Sequence, residues 1–159
     1  MSKQRPSHVP VFISSTYEDL REYREAIQKV LVRLETIIKG MEFFGSRPGT
    51  PSSECLQVVE QSKIFLCVIG MRLGSIDDTT KKSIVQLEYE KAQDLKLPTL
   101  IYMIDEKTQP ILPIYMDIGK KAKQLKEFKQ LLKKRHVVSF VTSPEDLALK
   151  VSQDLPSGL

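Results

Sequence analysis

Short apolar runs alternate five times along this chain with stretches whose apolar residues recur every third or fourth position. That alternation predicts strands each followed by a helix. Residues 9–14, Val-Pro-Val-Phe-Ile-Ser, form the first strand and end on hydroxyls. Ser15 or Thr16 then caps a helix, with Glu18 and Asp19 in its first turn. Leu20, Tyr23, Ile27, Val30, Leu31 and Leu34 give that helix one apolar face. Residues 36–39 are a weaker second strand, and 44–53, with Gly45, Pro48, Gly49 and Pro51, read as a loop. Ser52 or Ser53, followed by Glu54, opens a second helix through about Gln61.

The unbroken apolar run 64–69 suits a central parallel strand covered on both faces. A loop over 70–82 leads to a helix over 83–95, expected to bury Ile84, Leu87, Ala92 and Leu95. A fourth strand spans 99–104, and the proline-rich residues 109–114 lead into a basic helix over 119–136. Leu125, Phe128, Leu131 and Leu132 are its stripe, leaving Lys126, Lys129 and Lys133 solvated. The fifth strand is 137–141. Ser143-Pro144-Glu145-Asp146 then starts a last helix that ends near Leu155.

These elements predict a doubly wound, flavodoxin-like α/β domain over residues 1–155. Its five parallel strands take the order 2-1-3-4-5, with helices on both faces. Residues 156–159 read as the start of a linker to a further region. In such a sheet ligands lie beyond the carboxyl ends of the strands, at the switch point between strands one and three. The loops 14–19 and 70–83 are therefore the candidate site.

Composition narrows the classes. Hydrophobic residues make up 41% of the 159 and charged residues 28%, which excludes a disordered or low-complexity chain. No apolar run approaches the roughly 20 residues of a membrane span, and residues 1–7 are polar, without an export signal. Cys55 and Cys67 are the only cysteines, so a reduced, cytoplasmic protein without a metal motif is expected. The net charge of +4 is uneven: residues 119–136 hold eight lysines and arginines against Glu127, or +7, leaving −3 elsewhere. That helix offers a patch for nucleic acid or an acidic partner, although a solvated helix face is the plainer reading, and no nucleic-acid partner is expected.

The candidate loops exclude several chemistries. The chain has neither G-x-x-x-x-G-K-[ST] nor G-x-G-x-x-G, so no P-loop or dinucleotide turn is supported. A receiver would need an aspartate after strand three, where Gly70 stands. The hydroxyls Ser14, Ser15 and Thr16 suit a phosphate at a helix start, as in flavin sites, but the loop lacks glycine. Simple helix capping is their plainer role.

Four stretches together carry a resemblance. They are residues 11–20 (Val-Phe-Ile-Ser-Ser-Thr-Tyr-Glu-Asp-Leu), Phe43-Phe44-Gly45, residues 70–75 (Gly-Met-Arg-Leu-Gly-Ser) and residues 83–92 (Ser-Ile-Val-Gln-Leu-Glu-Tyr-Glu-Lys-Ala). In this order they resemble Toll/interleukin-1 receptor (TIR) domains. They are more closely similar to a TIR-like family of unknown function that often heads STAND-type, NACHT-like ATPases.

The resemblance implies a TIR-like fold and, for enzymatic members, cleavage of the nicotinamide–ribose bond of NAD. It places the catalytic glutamate at Glu88, with Ala92 one turn later. A carboxylate there suits an oxocarbenium-like transition state. Glu90 points to another helix face. Ser14, Ser15, Thr16, Arg72, Ser75 and Ser83 would contact NAD as substrate, Arg72 forking onto its pyrophosphate or pairing with Glu88. No cofactor or metal is implied, and no membrane.

Arg47 falls in the family's interaction loop. His8 and His136 read as structural strand-edge residues, and Tyr102, Tyr115 and Phe140 as packing. Val85-Gln86 replaces the Trp-Cys pair that TIR domains carry before the glutamate. The implied role is an effector or signalling domain of an immune-type (anti-phage or NLR-like) protein. It would be active as a homo-oligomer and followed by a STAND-type ATPase region. The alternatives are a non-catalytic interaction module and nucleic-acid binding through the helix over 119–136. A catalytic domain should hold Glu88 facing the crevice beside Ser14 and Arg72.

Overall fold

The computed structural model describes residues 9–34, 36–39, 51–108 and 110–158, with 51–55 and 156–158 described as backbone alone. Arg47, His8 and the Phe43-Phe44-Gly45 stretch lie outside the described residues. In chain order the elements are β1 (Pro10–Ser14), α1 (Arg21–Arg33), β2 (Ile37–Lys39), α2 (Pro51–Glu60), β3 (Ile64–Ile69) and α3 (Ile84–Asp94). They continue with β4 (Thr99–Ile104), a 3₁₀ turn (Pro113–Tyr115), α4 (Gly119–Arg135), β5 (Val138–Val141) and α5 (Pro144–Gly158).

All strand pairs are parallel, in the order β2-β1-β3-β4-β5. This is the expected flavodoxin-like arrangement. Every residue of β3 is buried, because alternate side chains enter two different cores. Ile64, Leu66 and Val68 join Val11, Ile13, Tyr102 and Ile104 beneath α1 and α5. Phe65, Cys67 and Ile69 join Phe12, Ile101 and Met103 beneath α2, α3 and α4. Among the described residues no helix is long and apolar enough to cross a membrane.

The helix ends and faces differ from expectation in several places. First, α1 begins at Arg21, after a turn in which Leu20 N bonds Tyr17 O at 3.2 Å, and no side chain caps it. Ser15 and Thr16 are turned into the protein instead, and Glu18 and Asp19 precede the helix. Second, Pro51 is already helical, as its fixed φ and missing N–H favour at a helix start. Third, α5 continues through Pro156 to Gly158. At its start, Ser143 Oγ accepts from Asp146 N at 2.9 Å, as expected.

A fourth difference is the face of α3. Its buried residues are Glu88, Tyr89 and Ala92, while Ile84 and Leu87 are half-buried and Leu95 is exposed. Tyr89 sets this rotation. Its ring is tilted against Phe65 at 6.4 Å and meets Phe128 edge-on at 5.7 Å, and Phe65 stacks on Phe12 at 5.9 Å. On α4, Leu125, Phe128 and Leu132 are buried as read from the sequence. Lys126 and Lys133 are exposed, but Lys129 is half-buried, with Nζ 3.6 Å from Met71 Sδ and its pKa held down by burial.

His136, just past α4, is tied to this core: the Tyr89 hydroxyl is hydrogen bonded to its Nε2 at 2.7 Å. Burial, and then the Arg135 charge, hold the imidazole pKa below its ordinary 6.5. The folded protein therefore binds this proton less readily than the unfolded chain. Stability is expected to fall once pH drops below 6.5 and to go on falling until the folded imidazole itself titrates. Urea unfolding between about pH 7.5 and 5 checks this, with His136→Gln showing a shallower slope than wild type. Equal slopes would show that His136 is not the group responsible.

Candidate functional site

The hydroxyl of Ser14, the last residue of β1, donates to Glu88 Oε1 at 2.7 Å. Both residues are buried, Glu88 to 5% exposure. Glu88 lies in the second turn of α3, beside Tyr89, so the aromatic column that fixes the helix also aims the carboxylate at the end of β1. Cys67 faces Ser14 across the β1–β3 ladder. Burial raises its thiol pKa strongly, the Glu88 charge adds to that, and the Ser14 hydroxyl opposes it only in part. A thiol so disposed is an inert core residue rather than a nucleophile.

The other hydroxyls have structural work. Ser15 Oγ donates to Thr16 O at 2.7 Å and accepts from Arg24 Nη1 at 2.5 Å. Ser83, wholly buried, caps α3 by accepting from Gln86 N at 3.0 Å. Thr16 Oγ1 is buried and makes no hydrogen bond of acceptable geometry among the described residues, although it pulls the Asp19 carboxyl down somewhat. Thr16, Arg72 and Ser83 line a void of about 10 Å³, close to what a single water needs. Ser75 is exposed, and its carbonyl accepts from Ile84 N at 2.9 Å.

Arg72 does not pair with Glu88. Its Nη1 lies 3.4 Å from Asp19 Oδ1. Burial raises the Asp19 pKa, and the Arg72 charge opposes that rise. The two loops are closely fitted here: a Cβ on Gly70 would sit 3.3 Å from Asp19 Oδ2. Gly74 has φ +81°, and a Cβ there would come within 2.8 Å of Thr16 Cγ2. Gly74→Ala is therefore expected to lower stability by about 1–3 kcal/mol through left-handed strain, with the contact adding to it. Urea denaturation measures that loss, and an unchanged midpoint would show that the loop yields freely.

Three contributors escaped the sequence reading. Arg24 is only 2% exposed, yet it sits on the apolar stripe of α1, four residues after Leu20 and three before Ile27. That periodicity was the available signal for its burial. Asp117 Oδ2 accepts from Leu73 N at 2.5 Å and anchors the loop after β3. The Tyr89–His136 pair joins α3 to the end of α4.

A larger cleft of about 420 Å³ opens at the carboxyl ends of β3 and β4, on the α1–α5 side of the sheet. Asp19, Gly70, Ile104, Ile111 and Tyr115 are among its walls. Glu88 belongs to the other side, so the switch-point region divides into two compartments rather than one crevice. Among the described residues no cluster of His, Cys, Asp and Glu is arranged to hold a metal.

Sheet order and helix placement define a TIR-like α/β domain. The chain superposes on the TIR domains in the structure of the activated Roq1 resistosome directly recognizing the pathogen effector XopQ, with a TM-score of 0.57 and 14% identity. The match covers 92% of this chain and 99% of that one. At that identity the likeness establishes the fold. Residues 10–156 match the family model described as Domain of unknown function (DUF4062), and the chain belongs to that family. No curated protein matches it.

Proposed function

We propose that this TIR-like domain hydrolyses the nicotinamide–ribose bond of NAD when copies of it assemble, with Glu88 as the catalytic carboxylate. The observation that carries the reading is the Glu88 side chain itself, buried at the end of β1 and held by Ser14 Oγ at 2.7 Å. A glutamate serving only the helix surface would be solvated. In the proposed step the bond from the ribose carbon to nicotinamide breaks, water oxygen bonds to that carbon and a proton is released. The carboxylate opposes the positive charge that develops on the ribose. Ser14 is the positioning residue.

Of the other proposed contacts, Arg72 and Ser75 are the accessible ones, and the Thr16 hydroxyl is available to bond. Ser15 and Ser83 act on the loop and the helix. The low exposure of Glu88 suits a domain idle as a single copy and opened by assembly. Its likeness to the TIR domains of a resistosome supports an effector or signalling role in an immune-type protein that also carries a STAND-type ATPase region.

The same burial favours a second reading, a non-catalytic interaction module in which Glu88 and Ser14 only join α3 to β1. Nicotinamide release, measured at high protein concentration and on a copy forced to oligomerise, decides between them. Turnover that is lost in Glu88→Gln supports the enzyme. No turnover from the wild-type chain in either state leaves the interaction module.

A further inference from the structure

Two surfaces face opposite ways along the strands and match each other in charge and apolarity. The first is the 420 Å³ cleft at the carboxyl ends of β3 and β4. Glu18 and Glu22 are exposed on its rim, and the exposed Glu145 is the next residue after Pro144, which lines the cleft. Among the described residues of these walls Arg21 is the cation. Tyr23, inside the cleft, has its hydroxyl pKa raised by burial and then by Glu145, Glu22 and Asp146, so the field there is negative. Beside the cleft the chain from 112 to 118 presents Leu112, Ile114, Met116 and Ile118, with Ile114 and Ile118 exposed to 80% and 87%. Such a run of exposed apolar side chains marks an interaction surface.

The second surface lies at the other end of the sheet. The helix α4 starts near the cleft, where Asp117 N bonds Met71 O and Lys121 Nζ reaches Gly74 O. Its 17 residues then carry the chain about 25 Å toward the amino ends of the strands. There Lys133, Lys134 and Arg135 are exposed, and Val137 follows at 97% exposure. Phe140 is exposed next to them, with Lys133 Nζ 5.5 Å from its ring. This corner is cationic and apolar, the complement of the cleft.

We propose that the cleft of one copy receives the corner formed by Lys134, Arg135 and Val137 of the next. The two surfaces differ and point in opposite directions, so the contact is head-to-tail and repeats, giving an open filament or a closed ring. A nucleic acid would cover the basic corner alone and leave the acidic cleft and its apolar ridge bare, whereas a second copy covers both. This inference deepens the assembly part of the function proposed above and rests on it; it makes no claim about the chemistry.

Sedimentation velocity on the 159-residue chain tests it at about 0.1 M ionic strength, where the Debye length is about 10 Å. The wild-type chain should grow past the dimer as its concentration rises. E18K/E22K alone and K134E/R135E alone should each lose at least about tenfold in apparent association, since like charges then meet. All four positions are exposed, and circular dichroism confirms the fold. An equal mixture of the two variants should grow again, because each carries the charge the other now needs. A wild-type chain that stays monomeric, growth that stops at a dimer, or a mixture that does not recover overturns the proposal. A monomeric wild-type chain that binds single-stranded DNA, and loses that binding in K134E/R135E, overturns it in favour of nucleic acid. Glu88→Gln should assemble like wild type, so loss of turnover without loss of assembly counts against the chemistry alone.

Discussion

Glu88→Gln is expected to abolish NAD turnover in the assembled protein, lowering the rate by roughly 10²–10³-fold, or about 3–4 kcal/mol of transition-state stabilisation. The substitution keeps the shape of the side chain and a carbonyl oxygen to accept from Ser14 Oγ, and removes only the charge. The fold should therefore persist. Glu88→Ala should not be silent, because it takes the acceptor from a buried hydroxyl bonded at 2.7 Å and costs about 1–3 kcal/mol of stability. Glu90→Gln is the internal control. Its carboxylate pairs with Lys82 Nζ at 3.0 Å on the surface, a pair worth about 0–1 kcal/mol, and its loss should leave turnover unchanged. The readout is nicotinamide release under forced oligomerisation. Equal rates in wild type and Glu88→Gln would remove Glu88 from the chemistry.

Alternation of apolar runs with three-and-four spacing was enough to read the five-stranded order, because β3 can be uniformly apolar only if both faces of the sheet are covered. The Ser14–Glu88 contact was legible only through the motif resemblance; hydrophobic periodicity pointed elsewhere. It assigned the buried side of α3 to Ile84, Leu87, Ala92 and Leu95, weighting aliphatic residues over the ring of Tyr89. In the structure that ring is wholly buried and turns the helix so that Glu88 faces the sheet. Capping rules misled at α1 for a related reason. Ser15 and Thr16 look like solvent-side caps, but Arg24, buried one turn into the helix, claims the Ser15 oxygen at 2.5 Å. A lone sequence shows which residues suit a helix start, and not which tertiary partner competes for them. Arg72 shows the same limit: its nearest carboxylate, Asp19, is 53 positions away in the chain.

Tyr89 is the residue on which the position of Glu88 depends, and Tyr89→Ala is expected to be the most damaging core substitution near the site. The ring has no exposed surface and contacts Phe65, Phe128 and His136 at 5.6–6.4 Å between centroids. Emptying such a site costs about 3–5 kcal/mol for a large aromatic, through lost transfer energy and the cavity left behind. That is a large share of the roughly 5–15 kcal/mol by which a domain is stable. For a chain of this size the loss should lower Tm by roughly 6–20 °C. Tyr89→Phe separates packing from hydrogen bonding: it keeps the ring and removes only the hydroxyl, which burial holds protonated and which is hydrogen bonded to His136 Nε2 at 2.7 Å. It should cost about 0.5–1.5 kcal/mol and leave NAD turnover near wild type. Should Tyr89→Ala unfold in urea at the wild-type midpoint, the aromatic column would not be what orients α3.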